Sequence, residues 1–198
     1  MINYKEEIKK DVLNSHNVRD EYKNSPVGIR KITQTSESKP FAVGLLNVTG
    51  ELNIGTIIRT AALFGAENIF VFGRKEIDNR SHVGAINYVN IQFIKCLNDD
   101  LSFDIEKIRQ IIFKYDYIPT FIETTGSSLT EKHWDKNQEW KPCLIFGNEG
   151  KGIPETVIKA FHFNDIISIP QLGVMRSHNV SVAAGIVMWE MSKQKGWL

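Results

Sequence analysis

Three polar segments of this chain contain residue types that could bind a ligand or do chemistry, and each follows a run of β-forming residues. The first, NVTGELNIGTIIRT, contains Asn53, Gly55 and Arg59. Asn53 is a good N-cap for the helix expected after it. Arg59 interrupts an apolar helical face, so it is either a partner in a structural ion pair or a functional cation. The sequence leaves both alternatives open.

The second segment, IFGNEGKGIPE, is a glycine-rich turn after a predicted strand. Its glycines, Gly147, Gly150 and Gly152, permit positive φ and let the backbone approach a ligand closely. The segment matches neither the P-loop nor the GxGxxG dinucleotide fingerprint. It is therefore either a structural turn or a binding turn of another kind. Glu149 within it is well placed to pair with an arginine such as Arg59.

The third segment, SIPQLGVMRSHNVSVAAGIVMWE, leads from a predicted strand through a proline turn into the last helix. Ser177, Asn179 and Ser181 place small polar groups at the entrance of that helix, where two or three of them could act as caps. Capping alone would explain these residue types. The segment becomes a candidate site only in combination with the other two.

The elements that would position these segments alternate in type from Phe41 onward. Short β-branched or aromatic runs alternate with amphipathic stretches, which predicts an α/β domain with a mostly parallel sheet flanked by helices. The predicted strands begin at Phe41, Asn68, Val89, Tyr117, Pro142 and Asp165, and the predicted helices begin near Gly55, Asp104, Pro154 and Val180. Ligands bind beyond the carboxyl ends of strands in such sheets, which is where the polar segments lie.

Residues 1–40 are polar and are predicted to form an appendage to a domain of residues 41–198. A sparse apolar pattern at Ile2, Ile8, Val12 and Leu13 predicts one short helix, followed by a loop. The appendage is either a solvated helix packed on the domain or an arm that guides RNA.

The composition excludes several classes of protein. The 198-residue chain has a net charge of +1, so any contact with nucleic acid requires a local basic patch. Cys96 and Cys143 lie far apart without a CxxC or a histidine cluster, which disfavours disulfide scaffolds and metal sites and favours a reducing, cytoplasmic compartment. The absence of a long apolar run and the charged first residues disfavour membrane and secreted proteins.

In combination and in this order, the three segments resemble the motifs of the SpoU/TrmH group of the SPOUT superfamily, RNA ribose 2′-O-methyltransferases that use S-adenosylmethionine. The family's first motif, N-x-G-x-x-x-R-T-A, is matched by Asn53, Gly55, Arg59, Thr60 and Ala61. The second, G-x-E-x-x-G, is matched by Gly147, Glu149 and Gly152. The third, I-P-x-x-G-x-x-x-S-L-N-V-S, is matched by Ile169, Pro170, Gly173, Ser177, Asn179, Val180 and Ser181. The resemblance extends from about Phe41 to Lys193. The sequence IPQLGVMRS followed by VMWE also resembles tRNA guanosine 2′-O-methyltransferases. The resemblance therefore favours tRNA over rRNA as the substrate.

The resemblance implies a deep trefoil knot in the C-terminal segment and a homodimer whose active site draws on both subunits. It implies that S-adenosylmethionine binds near Thr124, Thr125, Gly126, Phe146, Gly147, Ile169, Pro170, Leu172, Ser177 and His178. It further assigns Arg59 to activating the ribose hydroxyl, and it assigns Asn53, Glu149, Ser177 and Asn179 to positioning. A guanidinium is a poor general base, so we expect Arg59 to act by electrostatics. No metal is implied.

The residues that would contact RNA are the ones that the sequence determines least. Arg74, Lys75 and Arg80 lie on a long predicted loop and Arg176 lies beside the third motif, where they would contact phosphates. The loop could equally be a solvated charged turn. His178 replaces the family's usual Leu. Either only its backbone contacts the cofactor, or its imidazole serves as an auxiliary base or a ribose contact.

Two other functions remain open from the sequence. One is a knotted RNA-binding protein without catalytic activity. The other is an α/β protein that uses GNEGKG to hold the phosphates of a nucleotide, although the elements that phosphoryl transfer requires are lacking.

Overall fold

The computed structural model describes residues 18–73 and 85–198. The strands in these ranges are β1 Lys39–Leu46, β2 Ala66–Phe72, β3 Ile91–Ile94, β4 Tyr117–Ser128, β5 Lys141–Phe146 and β6 Asp165–Ser168. The α-helices are α1 Val27–Ser36, α2 Glu51–Leu63, α3 Ile105–Lys114, α4 Glu155–Lys159 and α5 Val180–Lys195, with 3-10 turns at Asp20–Tyr22 and Ala85–Asn87. Each predicted strand is present and begins within two residues of its predicted start, which confirms the α/β expectation.

The six strands form one parallel sheet in the order β3-β2-β1-β5-β4-β6. The strand order reverses between β1 and β5, whose carboxyl ends are aligned by the pairing of Leu45 with Phe146. Crevices at such a reversal are the usual ligand sites of open parallel sheets. Two of the three polar segments directly follow β1 and β5, so the topology brings them together.

The sheet is buried on both faces, which explains why its central strands appear as continuous apolar runs. In β1, Val43 and Leu45 pack toward the core that includes α2 and α5, whereas Ala42 and Leu46 pack toward the core that includes α3 and α4. The helix residues of the first core are Ile54, Ile57, Ile58, Ala61, Val180, Ala184, Val187, Met188 and Met191, and those of the second are Ile108, Ile112 and Val157. The site is thus built on a rigid, closely packed layer.

The helix α1 lies where the sequence predicted a loop, and this prediction is wrong. Its buried face is polar: Arg30 is buried and Thr33 and Gln34 are half-buried, while Ile29 and Ile32 are exposed. Gln34 donates a hydrogen bond to the carbonyl of Ala62 at 3.1 Å, which anchors α1 on the end of α2. Apolar periodicity cannot reveal a helix that packs in this way. The predicted N-terminal helix, which rests on residues 2–13, lies outside the described residues.

The helix α2 begins at Glu51, with Gly50 as its N-cap at φ +70°, so the prediction that Asn53 caps it is wrong. Glycine adopts this left-handed conformation without steric cost, and the helix therefore starts earlier than the first good capping side chain. The consequence is functional, because the Asn53 side chain is free to face the neighbouring loops.

The helix α5 is half-buried, as its apolar sequence predicted. Asn179 is its N-cap, and its side chain accepts a hydrogen bond from the Ser181 backbone N–H at 2.9 Å. None of the helices in the described ranges has the length and apolar character needed to cross a bilayer.

Candidate active site

A cavity of about 410 Å³ lies beyond the carboxyl ends of β5 and β6, beside the middle of β4. Its lining combines residues 122–124 of β4, the end of β5, the glycine-rich turn after β5 and the segment that leads from β6 into α5. The lining residues are Ile122, Glu123, Thr124, Phe146, Gly147, Asn148, Glu149, Gly150, Lys151, Gly152, Ile169, Gln171, Arg176, Ser177, His178, Val180 and Ala183. We call this space the strand-end cavity.

The three sequence motifs meet in one hydrogen-bond network beside the strand-end cavity. Asn53 Nδ2 donates to Glu149 Oε1 at 2.9 Å, which joins α2 to the turn after β5. Asn179 Nδ2 donates to Asn53 Oδ1 at 3.1 Å, which adds the N-terminus of α5. Residues that are about 100 positions apart or more in the sequence therefore share one set of polar contacts.

Glu149 is held as a carboxylate by its hydrogen bonds. The Thr49 backbone N–H and Oγ1 donate to Glu149 Oε2 at 2.9 and 2.7 Å, and Asn53 donates to the other oxygen. Partial burial acts to raise the pKa of Glu149, but the hydrogen bonds from Thr49 and Asn53 outweigh it, and the pKa lies below its ordinary value of 4.5. Near neutral pH the network is therefore a fixed acceptor with a negative charge.

The expected ion pair between Glu149 and Arg59 is absent from the described residues, and this is a correction to the sequence analysis. Glu149 binds Thr49 and Asn53 instead. Asn53 and Arg59 lie six positions apart on α2, so their side chains diverge by about 120° around the helix axis. Arg59 is exposed and lines a different cavity, near the C-terminal end of α2.

The side chain of Asn148 closes the glycine-rich turn by hydrogen bonds to its backbone. Asn148 Oδ1 accepts hydrogen bonds from the backbone N–H groups of Gly150 and Lys151, both at 3.0 Å. A Cβ on Gly147 would lie 2.6 Å from the Gly152 carbonyl carbon, a distance that real side chains do not reach. The glycine at this position is required by packing, whereas Gly152 is required by its φ of +67°.

Glu123 is a site residue that the sequence analysis missed. Its Oε1 accepts a hydrogen bond from the Ile153 backbone N–H at 2.5 Å, which ties the middle of β4 to the turn after β5. A Cβ on Gly152 would lie 2.7 Å from the same oxygen. A carboxylate that follows the buried apolar first half of β4 was the available signal. Without the strand order, its contact with a turn 30 residues away was not predictable.

The residues predicted to contact the cofactor divide into two groups. Those that line the strand-end cavity are Thr124, Phe146, Gly147, Ile169, Ser177 and His178. Those outside its lining are Thr125, Gly126, Pro170 and Leu172. Gly126 has a packing reason for its identity, because a Cβ there would lie 2.4 Å from the backbone of Ile166 in β6. Leu172 is fully exposed.

The predicted RNA contacts are only partly within the described residues. Arg176 lines the strand-end cavity, and its Nη2 donates to the carbonyl of Gly150 at 3.3 Å. Arg74, Lys75 and Arg80 lie outside the described residues. Within the described ranges, His, Cys, Asp and Glu side chains form no group of three or more that could hold a metal ion.

A parallel sheet with polar, glycine-rich turns at its strand-order reversal defines an α/β protein that binds a small ligand at that edge. Residues 40–189 match the model of the SpoU rRNA Methylase family, and the chain belongs to this family. The resemblance that the three motifs indicated is thereby confirmed.

Similar proteins carry related names. The chain is 28% identical over 161 residues to an uncharacterized tRNA/rRNA methyltransferase of Archaeoglobus fulgidus, covering 78% of this chain and 65% of that protein. It is 25% identical over 170 residues to YacO of Bacillus subtilis, a putative TrmH family tRNA/rRNA methyltransferase, covering 83% of this chain and 63% of that protein. The chain thus spans just under two thirds of the length of these relatives.

Solved structures share the fold. The A. aeolicus TrmH/SpoU tRNA modifying enzyme superposes with a TM-score of 0.66 at 22% identity, covering 86% of this chain and 85% of that one. The AdoMet-bound rRNA methyltransferase from Sinorhizobium meliloti superposes with a TM-score of 0.63 at 25% identity, covering 79% of this chain and 57% of that one.

Proposed function

We propose that this chain transfers a methyl group from S-adenosylmethionine to a ribose 2′-hydroxyl of structured RNA, with tRNA favoured over rRNA. The observation that carries the proposal is the network of Asn53, Glu149 and Asn179 beside the strand-end cavity. These are three of the family's five assigned site residues, they come from three separate motifs, and a merely structural turn would not require all three.

The chemistry of the strand-end cavity fits S-adenosylmethionine. Its volume of about 410 Å³ lies within the range of small-molecule sites. Ile122, Phe146 and Ile169 offer apolar surface for an aromatic base. Charged side chains of both signs line the same space, namely Glu123, Glu149, Lys151 and Arg176.

The knot belongs to this proposal as well. β6 lies at the edge of the sheet, whereas α5, which follows it after the exposed segment 170–179, packs against α2 near the centre. A chain that returns from the edge to the centre across the glycine-rich turn is compatible with a threaded C-terminal segment. We also retain residues 41–198 as the methyltransferase domain, with residues 1–40 as its appendage, since the family match begins at residue 40.

When bound, S-adenosylmethionine supplies an electrophilic methyl group on a sulfonium. The residues of this chain would hold the ribose oxygen in line with that methyl group. This alignment of the reacting atoms supplies most of the acceleration of such a reaction. Arg59 would bind the phosphate beside the target ribose and stabilise the developing alkoxide. A guanidinium is a poor general base, so the hydroxyl proton would pass to solvent water as the new bond between oxygen and methyl replaces the bond between methyl and sulfur.

The separation of Arg59 from the strand-end cavity supports a homodimer in which the partner completes the site. Arg59 is exposed and lines another cavity of the same chain. The same cavity is lined by Leu63 and Leu198, which are 78% and 63% exposed, and Trp189, which is 55% exposed, packs against Phe64 beside them. These side chains form an apolar surface close to Arg59. A second copy that covers this surface would bury apolar area and could bring its own strand-end cavity to Arg59.

The test is a methyl-transfer assay with labelled S-adenosylmethionine and unmodified tRNA or rRNA, followed by identification of the modified nucleoside. We expect the wild type to make a 2′-O-methyl nucleoside. Arg59→Ala should lose most turnover yet bind the cofactor normally, and Lys159→Ala, which removes an exposed cation elsewhere, should behave as the wild type.

Four outcomes would contradict the proposal or a part of it. A methyl group on a base would exclude ribose chemistry, and undiminished turnover of Arg59→Ala would exclude the role of that residue. Greater thermal stabilisation by ATP than by S-adenosylmethionine would favour the nucleotide-binding alternative. Cofactor binding without methylation of any RNA would favour the non-catalytic RNA-binding protein.

A further inference from the structure

A second cavity, of about 480 Å³, lies between α1, the C-terminal end of α2 and the last residues of the chain. We call it the α1 cavity. It shares no lining residue with the strand-end cavity. The appendage therefore does more than cover the domain, because its helix and the turn before it form one wall of a space large enough for a nucleotide.

The side chains around the α1 cavity carry an excess of positive charge. Its lining includes the cationic side chains of Arg19, Arg30, Lys39 and Arg59, and one carboxylate side chain, that of Glu37. Arg19 forms exposed ion pairs with Glu21 at 3.1 Å and with Glu37 at 3.7 Å, which leaves the other three cations without a carboxylate partner among the described residues. The whole chain has a net charge of only +1, so this is a local concentration of charge. Such a patch attracts an anionic ligand.

Arg30 is the most informative of these cations, because it is only 6% exposed. It donates hydrogen bonds to the carbonyls of Ser25 and Lys23 and to the Tyr88 hydroxyl, at 2.8, 3.0 and 3.2 Å. Among the described residues no carboxylate forms an ion pair with it. A buried charge without an opposite partner is costly, and a bound anion would relieve that cost.

Four aromatic side chains and one unsatisfied hydroxyl also line the α1 cavity. Tyr22, Phe64, Tyr88 and Trp197 line it, and each is half-buried. The buried Ser192 Oγ also lines it and makes no hydrogen bond in the described part of the chain. Aromatic rings interleaved with arginine and lysine are the features with which proteins bind single-stranded nucleic acid.

We propose that the α1 cavity binds one unstacked nucleotide of the RNA substrate, with its phosphate near Arg19, Arg30 and Lys39 and its base against the aromatic rings. The inference rests on the proposed function for the identity of the anion. Arg59 lines the same cavity, so a nucleotide bound there would belong to the strand that this residue contacts. The appendage is thus a part of the RNA site.

The test measures the affinity of the full chain for a fluorescent single-stranded RNA decamer at several salt concentrations. In the double variant Arg19→Ala with Lys39→Ala, we expect about tenfold weaker binding and a salt slope of log K that is smaller by about 1.4, since each lost phosphate contact removes about 0.7. Tyr22→Leu should weaken binding about fivefold or more without changing the slope, because it removes stacking and no charge.

Matched controls remove the same groups elsewhere on the surface. Lys159→Ala with Lys193→Ala removes two exposed cations, whose side chains are 72% and 63% exposed, and Phe163→Leu removes an exposed ring. These variants should stay within twofold of the wild type. All variants should keep the wild-type affinity for S-adenosylmethionine, measured by calorimetry, which also shows that they are folded.

Unchanged RNA affinity and salt slope in the cavity variants would overturn the proposal. So would a loss of RNA affinity that occurs only together with a changed oligomeric state by light scattering, since the variants would then act through the dimer surface that Leu63 and Leu198 share with the cavity. The two proposals fail separately. If the wild type methylates RNA and the cavity variants bind RNA normally, only the proposal for the α1 cavity is contradicted. If the cavity variants lose RNA binding as predicted but the wild type transfers no methyl group, the cavity is supported and the proposed function is contradicted.

Discussion

Replacing Asn53 with Asp should convert the central hydrogen bond of the motif network into a repulsion while keeping the size of the side chain. Asn53 donates to Glu149 at 2.9 Å and accepts from Asn179 at 3.1 Å. In Asn53→Asp the second contact can persist, but the first places two carboxylate oxygens against each other. The Asn53→Ala variant loses both contacts without adding a charge and is the matched control.

The magnitude of this change follows from the distance and the exposure. Two unit charges 2.9 Å apart repel by about 1.4 kcal/mol in a water-like dielectric and by about 6 kcal/mol at an effective dielectric of about 20. Both side chains are partly exposed, so we take about 2 kcal/mol, near the lower limit. The lost hydrogen bond adds about 1 kcal/mol, while an acidic residue in the first turn of α2 regains about 0.5 kcal/mol from the helix dipole.

The expected result is a free energy of unfolding about 2.5 kcal/mol lower for Asn53→Asp near pH 8, and about 1 kcal/mol lower for Asn53→Ala. The two variants should also differ in pH dependence. In the wild type the pKa of Glu149 is lowered, so its stabilisation is lost only as the pH falls through that lowered value. In Asn53→Asp the carboxylate pair has a raised pKa in the folded state, so stability relative to the wild type recovers as the pH falls.

Urea unfolding of the three proteins at about pH 8, 6 and 4.5 measures these differences. Equal destabilisation by Asp and Ala at every pH would refute the reasoning, because it would mean that Glu149 does not face residue 53 in solution. A difference between the variants that shrinks toward low pH supports the network.

The remaining predictions concern the loops of the strand-end cavity. Gly126→Ala should lower the free energy of unfolding by about 3 kcal/mol or more, as overpacking a core does, because the added Cβ would lie 2.4 Å from the backbone of β6. Gly173→Ala is the control: its Cβ would have no atom within 4 Å, and the melting temperature should stay unchanged. Glu123→Ala should weaken S-adenosylmethionine binding about tenfold by releasing the Ile153 N–H, and Glu123→Gln, which keeps an acceptor, should restore most of that affinity in calorimetry. His178→Leu should retain wild-type turnover if only the backbone of this exposed residue contacts the cofactor, and a loss greater than tenfold would assign a role to the imidazole.

The strands could be predicted because burial on both faces of the sheet leaves uninterrupted apolar runs, such as FAVGLL in β1. The helix α1 could not, because Arg30 and Gln34 form its buried face and satisfy their polar groups against carbonyls of other segments. The start of α2 was misplaced for a related reason, since the backbone of Gly50 allowed the helix to begin before any capping side chain.

The sequence by itself determined the alternation of strands and helices, the three motifs and, through them, the family. These properties depend on local residue types and spacing, which a linear pattern records. Only the tertiary structure decided that Glu149 binds Asn53 and Thr49 instead of Arg59, that Glu123 ties β4 to the glycine-rich turn, and that the α1 cavity exists. Each of these depends on which strand ends are neighbours and on the direction in which a helix presents its side chains, and both are set by the packing of distant segments.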